Sequence, residues 1–224
     1  MSTESDAKSV VAAKKVAIYK DVVPLTTGMF ADDTKISKEK MIATLHRSIL
    51  GLDKTGALRP INDLKLFMVM ASQYALNPFK EEIYATYVWD SSRGREELTP
   101  IVAIHGLRKL ARKGGVYTHT GAAELEMSED GKTIVSATVP VFGRWSKDGV
   151  PVEVTRYTAY FDEFARKKKD GNFNKMWSEK PRMMLIKCAE ANALRQGFDI
   201  SGIYIEEEIA NETVIDVEPE ENNG

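Results

Sequence analysis

At 224 residues the chain is long enough to bury one sizeable core, and 43% hydrophobic with 29% charged residues places it among ordinary globular proteins. The lone Cys188 excludes an internal disulfide, no run of about 18 apolar residues offers a membrane span, and the polar start lacks the apolar segment of a secretory signal. The net charge of −2 hides an asymmetry: residues 206–224 hold eight acids and no Lys or Arg, so residues 1–205 carry +6. An acidic end on a basic body accompanies nucleic-acid binding when the tail competes with phosphate; a solvating tail is the other reading. A cytoplasmic protein is expected, without contact to a membrane.

Residues 1–36 mix polar stretches with short apolar pieces at 16–19 and 22–25. They are read as a flexible leader with at most one strand, and as a candidate oligomer contact. From Ser37, a candidate cap, Met41, Ile42, Leu45, Ile49 and Leu52 recur at helical spacing. Residues 51–60 break that helix. A second begins at Asn62 as N-cap, carries Leu64, Phe67, Met68, Ala71 and Tyr74, and ends by Asn77-Pro78. The period then changes to two: Ile83, Ala85, Tyr87 and Trp89 alternate with their neighbours, residues 98–104 supply a partner strand, and 90–97 form the loop. A short helix over 104–113 closes at Gly114-Gly115, and strands follow over 116–127, 132–142 and 150–160, joined by turns at Gly131 and Gly149. Helix returns over 161–169, 178–196 and more weakly 206–211. The expected architecture is α+β: a single domain with a ββαβββ-type core sheet packed by helices, spanning 37–212 between the leader and a disordered acidic tail at 213–224.

The chemistry lies in the basic segments. The helix over 104–113 puts Ile104, Leu107 and Ala111 on an apolar stripe and stacks Arg108 with Arg112 and Lys109 with Lys113, with no acid before Glu124. Such cations repel one another unless an anion neutralises them, so phosphate contact is weighed against a merely solvated face. Residues 164–195 hold nine Lys/Arg, among them Lys167, Lys168 and Lys169, against three acids. At 100° per residue Lys180, Lys187 and Arg195 fall within about 80° of one another, while Arg182 points elsewhere and Leu185, Ile186, Ala189 and Ala193 face the core. Phe173 and Trp177 are candidate stacking platforms, with core packing as the plain alternative. A polyanion with stackable faces, single-stranded nucleic acid, suits this pattern.

No phosphate loop ending in Gly-Lys-Ser/Thr is present, and Gly51 to Gly56 continues as Ala57-Leu58, which points to an ATP-independent protein. His46, His105 and His119 are dispersed without zinc spacing, and Cys188 sits in an apolar helical pattern as a buried thiol. A metal-dependent nuclease using Glu153 or Asp162 is the competing class; a sequence-specific duplex regulator is a third, weakened by the lack of a polar recognition helix.

Two blocks carry a resemblance to a known family: Gln73-Tyr74-Ala75-Leu76-Asn77-Pro78-Phe79 with the segment 100–108, and Trp177 followed by Pro181-Arg182-Met183-Met184-Leu185, Arg195, Phe198 and Gly202-Ile203-Tyr204. Together they resemble the RecT/Red beta family of phage single-strand annealing proteins, in order and spacing over about residues 40–210. The resemblance implies binding of single-stranded DNA and of the annealed duplex intermediate during phage homologous recombination. It also implies homo-oligomers as rings or helical filaments, a partner phage exonuclease, and contact with host single-strand-binding protein. No cofactor and no covalent catalysis are implied, with magnesium at most a modulator of DNA binding. By position Lys180, Arg182, Lys187 and Arg195 match the family's basic helix, although Lys187 and Cys188 stand where a Red beta-like sequence is more densely basic. The chain ends soon after the core, which would leave partner contacts to the acidic tail.

Overall fold

The computed structural model describes Tyr19, residues 21–26, 36–165, Lys167 and 170–205. Contacts gather into two compact units, residues 1–86 with 98–100, and residues 87–97 with 101–224. In the first, the Ser37 hydroxyl accepts from the Lys40 amide at 3.4 Å and caps α1 (Lys38–Leu45) as expected. The helix runs on as a wider π turn, His46–Leu50, and stops at Gly51, whose φ of 68° is easy only for glycine. α2 (Ile61–Gln73) has Pro60, not Asn62, at its N-cap position. Proline needs no donor satisfied there, and its φ of −58° leads directly into the helix. Leu64, Phe67, Met68 and Ala71 form the buried face of α2, joined by Ile42 and Leu45 of α1 and by Tyr19 and Val22. Of the expected 16–19 strand, all but Tyr19 lies outside the described residues.

Asn77 accepts from the Phe79 amide at 2.9 Å and turns the chain through Pro78–Lys80 into the hairpin of β1 (Ile83–Asp90) and β2 (Arg95–Val102). The hairpin is a two-stranded sheet of its own. Its strands do not join the larger sheet; at the end of β2 the Val102 amide donates to the Tyr204 carbonyl at 2.9 Å, and Ile101 forms a parallel bridge with Tyr204.

After α3 (Ile104–Lys113) the expected 116–127 strand appears as two, β3 (Tyr117–Thr120) and β4 (Glu124–Met127), both antiparallel to β5 (Ile134–Trp145). The break faces Pro140 of β5, whose carbonyl accepts from Gly121 at 2.9 Å but which has no N–H to return, so the ladder opens there. β6 (Pro151–Tyr160) pairs with the other edge of β5, setting Ala137 opposite Ala159 and Val141 opposite Thr155. The α+β class therefore holds, with strands shared between a hairpin and a four-stranded antiparallel sheet.

Two helical expectations are corrected. The 161–169 helix is only α4 (Phe161–Phe164); Ala165 leaves helical geometry and Lys167 instead forms a β-bridge with Phe173. A continued helix would stack successive like charges, which is unfavourable. The 178–196 helix is two pieces, α5 (Lys175–Glu179) and α6 (Pro181–Gly197), because a residue before proline avoids helical backbone and Lys180 sits at φ −134°, ψ 50°. The weaker 206–211 helix, the 213–224 tail and the boundary at 212 lie outside the described residues.

α6 packs along β5 and β6. Leu185, Cys188 and Ala189 meet Ala137, Val139 and Ala159 in one fully buried cluster, where small side chains on both layers permit close approach. At Gly197 an added Cβ would lie 2.7 Å from Thr155 Cγ2, so the end of α6 has no room for alanine unless the Thr155 side chain shifts.

Candidate nucleic-acid interface

α3 packs against α6, which makes the two basic helices neighbours. Leu107 and Ala111 enter the core as the apolar stripe requires, while Arg112 and Lys113 at the C-terminal turn are exposed. Arg108 differs from the expectation that these cations lack an acid. Its Nε and Nη2 each donate at 2.7 Å to the two oxygens of Glu190, 82 residues along the chain, and Thr120 Oγ1 donates at 2.9 Å to Oε1. This hydrogen bonding holds the Arg108 guanidinium above its ordinary pKa, against the opposing effect of burial. Arg108 thus clamps α3 to α6 and offers phosphate only its outer edge. Lys109 is half-buried.

Around α6, exposure does not follow the expected helical phase. Lys180 precedes the helix and is exposed, so its direction cannot be read from a 100° step. Arg182, set apart by phase, is exposed on the first turn, whereas Lys187 and Arg195 are half-buried. Lys167 is exposed with its ammonium 5.7 Å from the centroid of the Phe173 ring; Lys168 and Lys169 lie outside the described residues.

Of the two aromatic platforms, Trp177 is packed inside. Trp177 is 6% exposed, in the α6–sheet cluster with the Phe161 ring edge-on at 5.7 Å, so no base can reach its face. Phe173 is half-buried between Phe161, edge-on at 5.5 Å, and Lys167. Core packing, the plain alternative for both rings, takes Trp177, while Phe173 only borders the cluster. A second aromatic pair lies elsewhere: exposed Arg112 sits 5.4 Å from the centroid of half-buried Tyr117, whose ring meets half-buried Phe198 edge-on at 5.4 Å.

Two residues escaped sequence reasoning. Glu190 is a lone acid amid Cys188, Ala189, Ala191 and Ala193, and a charge inside an apolar run signals a buried partner. Trp145 stands between Arg144 and Lys147 at a strand end, and adjacent cations beside an indole were the available signal. The nuclease candidates separate: Glu153 takes a bidentate pair with Arg156 at 2.7 and 2.8 Å, and Asp162 is exposed on α4. Among the described residues no group of three His, Cys, Asp or Glu side chains could hold a metal ion, and no helix is long and apolar enough to cross a membrane.

The surface therefore combines exposed cations on α3 and at the head of α6 with backbone rigidly packed behind them, an arrangement suited to a phosphate chain. A search of curated proteins finds no match to the chain. The model of the RecT family matches residues 52–222, from the loop before α2 into the acidic tail. The chain belongs to the RecT family, the single-strand annealing proteins of phage DNA recombination.

Proposed function

We propose that the protein binds single-stranded DNA as a ring or helical filament of identical subunits and pairs it with a complementary strand without ATP. The family match carries this reading, and the exposed cations Arg112, Lys113, Lys180 and Arg182 support it as phosphate contacts. Annealing requires two polyanions to approach. Neutralising one backbone and aligning it lowers that cost without a covalent step. Host cytoplasm is the setting, with a phage exonuclease supplying single strands and host single-strand-binding protein as a further contact.

Mixing complementary oligonucleotides with the protein, without nucleotide cofactor, should speed duplex formation while leaving strand lengths unchanged. The effect should weaken as salt rises and depend little on base sequence. Shortened strands in the presence of magnesium would sink this reading in favour of a nuclease, as would salt-insensitive binding confined to one duplex sequence.

A further inference from the structure

At the end of the four-stranded sheet, Trp145 is the most exposed large hydrophobic side chain among the described residues, at 64%. It stands at an open cleft of about 490 Å³ lined by Leu110, Val116, Gly143, Trp145, Val154 and Phe198 among others, with no carboxylate in the lining. The volume is in the range of small-ligand clefts. A Cβ on Gly143 would lie 2.8 Å from Val154 Cγ2 and 2.9 Å from the Val116 carbonyl, so glycine keeps the wall of the cleft thin.

The backbone at this place is strained. The β5–β6 register slips between Gly143 and Trp145, and Arg144 within the slip has φ 51°, a left-handed conformation unfavourable for a residue with a Cβ. Its amide donates to the Val116 carbonyl at 2.7 Å and holds the bulge. A bulge re-aims the side chains beyond it, and strain of this kind gathers at binding sites. Here it turns Arg144 and Trp145 outward together. Arg144, Lys147 and Lys113 are exposed, and none has an ion-pair partner among the described residues. Arg112 and Lys113 immediately precede Gly114, a lining residue, so the cleft continues the cationic end of α3.

We propose that this cleft takes one base of single-stranded DNA, stacked on the Trp145 indole, with Arg144 and Lys113 on the adjoining phosphates. The inference rests on the DNA-binding reading above and adds a base contact to it. An apolar wall, an exposed indole, a lining without carboxylates and the nearby cations Arg144 and Lys113 suit a polyanion with stackable faces better than a peptide.

The test compares oligothymidylate with an abasic strand of equal length, binding full-length protein, its W145A and W145F variants, and R112A/K113A. Stacking predicts that W145A loses roughly 5- to 150-fold in affinity for oligothymidylate and less than about 2-fold for the abasic strand, with W145F intermediate. Equal losses on both strands overturn the base contact. So does an unchanged W145A when R112A/K113A weakens both strands, a result that leaves DNA binding itself intact. A changed subunit association of DNA-free W145A would assign the cleft to a second copy and overturn the proposal. If the unaltered protein binds neither strand, the DNA-binding reading falls with it.

Discussion

Glu190 and Arg108 face each other with side-chain exposures of 7% and 34%. Truncating Glu190 to Ala strands a guanidinium two-thirds removed from water, so the expected loss is about 2–4 kcal/mol in urea unfolding, less than a fully buried pair would cost. Replacing Arg108 with Met and Glu190 with Leu together should recover much of that loss, since the pair's desolvation disappears with its attraction. His46 shows the neutral counterpart. Its Nε2 donates to the Arg59 carbonyl at 2.8 Å, so Nδ1 accepts from the Tyr19 hydroxyl at 3.1 Å, and burial lowers its pKa. The unfolded chain then binds the proton more readily than the native one. Stability should be complete above the unfolded value of about 6.5 and decline as pH falls toward the native value. Urea midpoints at pH 7.5 and 5.5 should differ in that sense, and the difference should shrink in His46→Gln.

The elements divide binding from packing. Arg112 and Lys113 are exposed at the end of α3, and substituting both by Ala should reduce the slope of log affinity against log salt by about 1.4, from roughly 0.7 per single-strand phosphate contact. Trp177 belongs to the other class. Its replacement by Ala should cost about 3–5 kcal/mol in unfolding free energy, whereas Phe retains most of the packing. A W177A protein that kept full stability yet lost DNA would return this ring to the interface. α2, β1, α3 and β6 were legible from periodicity and turn residues to within a few positions, because those signals act over neighbouring residues. The break before α6 was legible as well, in Pro181, but the regular apolar pattern on either side masked it. The opening between β3 and β4 was not, since it depends on Pro140 in the strand opposite.

Across the whole molecule, charge is segregated along the chain: +6 over residues 1–205 and eight acids beyond. If the tail competes with phosphate, converting its acids to Asn and Gln should raise single-strand affinity at low salt and leave it unchanged at high salt, where screening already removes the competition. Equal affinity at low salt would make the tail a solvating segment only. The sequence by itself determined the class of the fold, the Ser37 cap, the basic helix over 104–113 and the family, because all of these rest on local order or on motif spacing. Only the tertiary structure decided which cations and rings face water. Arg108 meets an acid 82 residues away, Trp177 is taken into the core that α6 shares with the sheet, and Trp145 is turned outward at a bulge between β5 and β6. Exposure is a property of what packs alongside, and such neighbours come from distant parts of the chain that local periodicity does not record.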